Sequence, residues 1–188
     1  MNKQFIAVLI SVLFVSVILS GCISDEEYTD NSSEGNEDDL PNHYDEGIYT
    51  CIDHDNITRC WQTHIPDNLP RNTPVPLILD LHGFGSDSTE HRKFSDFNTI
   101  ADEYGAIVVY PDGVTTQNSW DIEANQGWNA GWCCADPAVN DVDDVGFIEQ
   151  IVEIAIQIHN IDSTRIYLSG WSNGCAMAQR MAMDSSHI

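Results

Sequence analysis

Gly170-Trp171-Ser172-Asn173-Gly174 is the stretch of this 188-residue chain whose residue types and spacing best suit covalent chemistry. A serine hydroxyl becomes a nucleophile when a neighbouring base takes its proton. The flanking glycines leave space where strand and helix backbones must pass closely. The pentapeptide follows a short apolar run, Arg165-Ile166-Tyr167-Leu168-Ser169, and precedes a helix-like stretch from Cys175 to Met183. Strand, Gly-x-Ser-x-Gly, helix is the setting of a nucleophile elbow, a strained turn that lifts the serine above a sheet. The competing reading is an ordinary strand-to-helix turn.

Attack by such a serine on an ester carbonyl puts negative charge on oxygen, and backbone N–H groups must meet that charge. One is expected from Asn173, directly after the serine. The second is expected from the loop His82-Gly83-Phe84-Gly85, with Phe84 preferred over Gly83 or Gly85. A simple tight turn is the competing reading for His82-Gly83. In proteins with this elbow an acidic residue and then a histidine follow the serine. Only His187 follows Ser172 here. At a rise of 1.5 Å per helical residue it would stand about 20 Å away, so it is not expected to be catalytic. The chain therefore reads as the N-terminal part of a longer enzyme, ending soon after the elbow helix, with its acid and histidine beyond Ile188.

The elements that must hold these groups follow from the apolar pattern. Residues 47 to 66 read as an antiparallel pair, and Leu77–Leu81 and Ala106–Tyr110 as strands buried on both faces. A helix is expected over Ser95–Tyr104, with Phe94, Phe97, Ile100 and Ala101 on one stripe and Gly105 closing it. A long Trp- and Asn-rich loop covers roughly 114 to 141. Asp143 or Asp144 then caps a helix running to His159. Strand alternating with helix predicts a mostly parallel sheet with helices on both faces, an α/β fold. A sheet that stopped at this point would carry an unpaired edge.

The N-terminal region sets the compartment. Phe5–Leu19 is apolar apart from Ser11 and Ser16 and reads as the core of a signal peptide. It ends in Leu19-Ser20-Gly21-Cys22, which resembles a lipoprotein signal with Cys22 as the lipidated residue. An ordinary secretory peptide is the alternative. Residues 1–22 are thus a signal, 23–46 an acidic disordered tether, and 47–188 the folded part. The expected location is outside the cell, held at the membrane by lipid. Net charge is −23, and from Gly47 onward 20 acidic against 6 basic residues still leave −14. That excess argues against nucleic acid as a partner.

Six cysteines suit an oxidising compartment. Cys51 and Cys60 flank a turn-rich stretch and are expected to pair. Cys133, Cys134 and Cys175 leave an odd count, with one thiol unpaired or bonded outside this chain. No Cys-x-x-Cys or His-x-x-x-His spacing occurs, so no metal or cofactor is expected. Asp143 and Asp144 are read as helix capping and dipole complementation rather than calcium ligands.

Taken in order, Leu-His-Gly-x-Gly at 81–85, Val-Val-Tyr-Pro-Asp-Gly at 108–113, Trp-Asn-Ala-Gly-x-Cys-Cys at 128–134, Val-Asp-Asp-Val-Gly-Phe-Ile at 142–148 and Gly-x-Ser-Asn-Gly at 170–174 resemble one family. It is the polyhydroxybutyrate depolymerase-like esterases, with their feruloyl and acetylxylan esterase members. The resemblance covers about 55 to 188. It implies an α/β-hydrolase fold and ester hydrolysis through an acyl-serine, with Ser172 as nucleophile and the Phe84 and Asn173 N–H groups as oxyanion hole. It also implies ester substrates, some of them polymeric. Trp171 stands where the family often has Tyr, Leu or Met, and it narrows the expected acyl site. Trp128, Trp132 and Asn129 either bind sugar or aromatic rings or fix the loop against the sheet. Two rival functions remain: a prolyl-oligopeptidase-like peptidase, and a catalytically dead hydrolase fold that binds surfaces.

Overall fold

The computed structural model describes residues 47–70, 72–116 and 125–186. The expected signal segment, Cys22, the acidic tether and His187 lie outside the described residues. Among the described residues no helix is long and apolar enough to cross a membrane.

The chain enters as a hairpin of β1 (Ile48–His54) and β2 (Ile57–His64). Asp55 and Asn56 form its two-residue turn with φ of 49° and 62°, the left-handed pair that matches strand twist in a type I′ turn. That register sets Cys51 opposite Cys60, and the two form the expected disulfide. β2 pairs antiparallel with β4 (Ile107–Pro111), which pairs parallel with β3 (Val75–Leu81). β3 also pairs parallel with β7 (Ile161–Gly170), giving the order β1-β2-β4-β3-β7. The expected parallel sheet is thus the β4-β3-β7 half, extended by an antiparallel hairpin.

Side chains alternate across these strands, so each face demands its own cover. Leu77, Leu79, Leu81, Ile107 and Val109 pack on α4 (Asp144–Ile158) and α5 (Asn173–Asp184), against Phe147, Ile151, Met177 and Met181. Ile78, Val108 and Tyr110 face the other way, toward Phe97 and Ala101. Helices therefore cover both faces.

One expected helix is corrected. A helix α1 (Ser88–Ser95) that the pattern did not predict ends at Asp96, with φ 52° and ψ 32°, and the helix expected over Ser95–Tyr104 is α2 (Phe97–Tyr104), starting two residues later. The break turns Phe94 out to solvent, while Ala101 is buried. α1 starts at Asp87, whose carboxylate accepts from the Glu90 N–H, a capping pattern passed over in the sequence. The 114–141 loop also contains structure: the small pair β5 (Val114–Thr116) and β6 (Asn125–Gly127), then the short helix α3 (Ala135–Val139). Three-residue strands are too short to show a period. Cys133 and Cys134, left open above, are bonded to each other ahead of α3.

Candidate active site

β7 delivers the chain to the elbow beside the end of β3. The Trp171 N–H donates to the Leu81 carbonyl at 3.0 Å, and the Gly174 N–H to the Trp171 carbonyl at 2.8 Å. Ser172 then adopts φ 51° and ψ −112°, a conformation that costs a non-glycine residue energy and that clusters at functional positions. Its side chain faces solvent. A Cβ on Gly170 would lie 2.6 Å from the Gly174 backbone, and one on Gly174 would run into the Leu81 carbonyl. The two glycines are therefore set by close backbone approach.

The loop 82–85 lies against this turn. A Cβ on Gly83 would stand 3.1 Å from Trp171 Cδ1 and 3.6 Å from Ser172 Cβ. Among the described residues neither the Phe84 N–H nor the Asn173 N–H donates a hydrogen bond. Phe84 and Asn173 both border Gly127: a Cβ there would meet Phe84 Cδ2 at 2.9 Å and Asn173 Oδ1 at 3.3 Å. Ser172, Asn173 and Phe84 thus come together. The disulfide Cys51–Cys60 belongs to the β1–β2 hairpin.

His82 does not serve Ser172. Its Nδ1 lies 2.7 Å from the Gly83 carbonyl, and its Nε2 accepts from the Gly113 N–H at 2.8 Å. Those partners require a proton on Nδ1 and none on Nε2, the neutral imidazole. Burial agrees, holding its pKa below the usual histidine value. His91 is also buried, with Nε2 3.0 Å from Asp80 Oδ2, though the pair is not aligned as a hydrogen bond. Among the described residues no imidazole or carboxylate hydrogen-bonds the Ser172 hydroxyl.

The Trp-rich loop divides by role. Trp128 is fully buried and Asn129 nearly so, so they fix the loop to the sheet, while Trp132 is 85% exposed. The Trp128 N–H donates to Asn173 Oδ1 at 2.8 Å, and Asn173 Nδ2 returns a bond to the Trp128 carbonyl at 3.1 Å. The indole N–H donates to the His82 carbonyl at 2.9 Å. Beneath them Arg59 reaches Asp144 at 2.6 Å, with both side chains out of solvent. The guanidinium carbon of Arg59 lies 4.0 Å from the centre of the Phe147 ring, within cation–π range. Burial pushes the Asp144 carboxyl above the usual range, and Arg59 and the Asn129 N–H work against it. Asp143, not Asp144, caps α4, accepting from the Gly146 N–H. Asp144 stands in the first turn of α4, where an acidic side chain suits the helix dipole, and it is also the buried partner of Arg59. Trp171 and Phe94 form an exposed aromatic shelf beside the serine, their rings edge to face at 5.3 Å.

The chain matches the family described as Esterase PHB depolymerase over residues 65–187. It is 33% identical to a bifunctional acetylxylan esterase/xylanase of Neocallimastix patriciarum over 111 residues, 59% of this chain and 14% of that protein. It is 27% identical to a feruloyl esterase B of Talaromyces stipitatus, over 63% of this chain and 30% of the other. The chain thus spans less than a third of either relative. Among solved structures it resembles an acetyl xylan esterase from Aspergillus awamori with TM-score 0.53 and 18% identity, covering 72% of this chain and 47% of that one. An S-formylglutathione hydrolase from Agrobacterium tumefaciens gives TM-score 0.52 and 15% identity, over 74% and 53%. Both likenesses concern the fold.

Proposed function

The chain belongs to the PHB depolymerase family of esterases, and from that premise we propose that it hydrolyses carboxylic esters through an acyl intermediate on Ser172. The observation that carries this reading is the strained, solvent-facing Ser172 beside two unengaged N–H groups. Ser172 Oγ attacks the ester carbonyl carbon as a base takes the hydroxyl proton. The carbonyl oxygen becomes an oxyanion, held by the N–H groups of Phe84 and Asn173. Collapse breaks the bond to the alcohol, which leaves with a proton, and water then releases the acid from Ser172. The general base of this scheme is not among the described residues.

Acetyl and feruloyl esters of polysaccharide and oligomeric hydroxyalkanoates are the substrates we propose. Similarity to an acetylxylan esterase and to feruloyl esterases supports the first two. The Trp171–Phe94 shelf suits the planar feruloyl group, since aromatic rings pair in edge or offset stacks. The Cys51–Cys60 bridge supports an extracellular location, with Cys22 as the proposed lipid attachment.

Turnover of acetylated xylan and methyl ferulate by the full-length protein tests this reading. Ser172→Ala is expected to reduce either activity by about 10⁶-fold, the order seen on removing a serine nucleophile. Undiminished turnover in that variant would remove Ser172 from the chemistry.

A further inference from the structure

The two N–H groups assigned to the oxyanion hole come from separate chain segments, one after β3 and one after β7. Neither segment by itself sets their separation. A third segment, residues 126–129, touches both. The Gln126 carbonyl accepts from the Gly85 N–H at 2.8 Å. Gly127 lies against the Phe84 ring and the Asn173 side chain, with no room for a Cβ. The Trp128 indole N–H holds the His82 carbonyl, and the Trp128 peptide exchanges two hydrogen bonds with the Asn173 amide. The Trp128 ring also packs on His82, centroids 4.9 Å apart.

This strap is itself anchored to the sheet and helices. The Asn129 N–H donates to Asp144 Oδ2 at 2.6 Å, and Asp144 is held by Arg59 of β2. Arg180 of α5 donates to the Asn129 carbonyl at 2.6 Å. One peptide unit, Trp128-Asn129, is thus tied to β2, α4, α5, the elbow and the 82–85 loop.

We infer that Trp128 is a positioning residue for the oxyanion hole, holding the Phe84 and Asn173 N–H groups at a fixed separation through its indole N–H and its peptide. This rests on the serine-esterase reading above. Trp128 touches no reacting atom. Its effect belongs to the transition state, where charge develops on oxygen, and not to ground-state binding of the ester.

The test uses the full-length protein and Trp128→Phe, which keeps an aromatic ring but lacks the N–H donor. Trp61→Phe, a buried tryptophan of β2 outside the strap, controls for simple loss of core volume. Trp128→Phe is expected to lower kcat by about 100-fold with KM little changed, the scale of an approximately 1 Å misplacement. Trp61→Phe is expected to leave kcat near wild type. Should Trp128→Phe fold poorly, Asn173→Leu serves instead: it is close in shape, adds no charge, keeps the residue-173 backbone N–H and removes both side-chain bonds to the Trp128 peptide, and kcat is again expected to fall.

Amide hydrogen exchange gives a readout independent of turnover. The backbone N–H groups at positions 85 and 128, both donors within the strap, are expected to exchange at least about tenfold faster in Trp128→Phe and unchanged in Trp61→Phe. A well-folded Trp128→Phe protein with wild-type kcat, or with unchanged exchange at both amides, overturns the inference. Absence of ester turnover in the wild type would count against the esterase reading, and the exchange data would still decide the strap.

Discussion

At the scale of single residues, the site shows which polar groups the fold keeps neutral and which it keeps charged. His82 is neutral because both ring nitrogens are committed to backbone groups in a buried site. Its folded pKa lies below the ordinary 6.5. As pH falls through 6.5, the unfolded chain gains a proton that the folded chain refuses, so the stabilisation present above that pH is progressively lost below it. Thermal melts between pH 8 and pH 5 are expected to show Tm falling on the acid side, with a shallower fall in His82→Asn. Equal slopes would mean that His82 does not contribute to the pH dependence. The serine, the residue after it and the Phe84 loop were legible in the sequence because each belongs to a short local pattern. Their partners were not. Asn173 meets Trp128 45 positions away, the indole meets His82 46 away, and Arg59 meets Asp144 85 away. No local pattern encodes pairs that only the fold brings together.

At the scale of elements, legibility tracked length and period. β3 and β4 announced themselves as apolar runs because both their faces are covered, whereas β7, exposed at Tyr167, was legible from the short run that leads into the elbow. α4 and α5 were legible in the same way, by helical spacing and by place after the elbow. α1 was missed because it presents few apolar positions: its buried residues are Ser88, His91 and Arg92. The β1–β2 hairpin was legible twice over, in its Asp55-Asn56 turn and its flanking cysteines. Its disulfide closes a short loop, nine positions apart, which limits the entropy removed from the unfolded chain. Cys51→Ser with Cys60→Ser is expected to cost about 2–3 kcal/mol in denaturant unfolding without loss of ester turnover, since the bridge is not part of the Ser172 site. Loss of turnover in a folded double variant would show that the hairpin supports the site.

At the scale of the whole molecule, an acidic chain of net charge −23 carries a half-parallel sheet whose switch from strand to helix holds Ser172. Negative charge repels polyanions and keeps such a protein dispersed in solution; it does not select an ester. In the proposed reading, selection rests with the aromatic shelf of Trp171 and Phe94, and rate with the serine and the two N–H groups. All of this depends on Ser172 being an activated nucleophile in the full-length protein. Reaction with a fluorophosphonate probe, followed by mass mapping of the adduct, tests that claim most directly. The account expects a single adduct on Ser172, lost in Ser172→Ala and blocked by prior incubation with a slowly turned-over ester. No adduct, or an adduct on another residue, would contradict it.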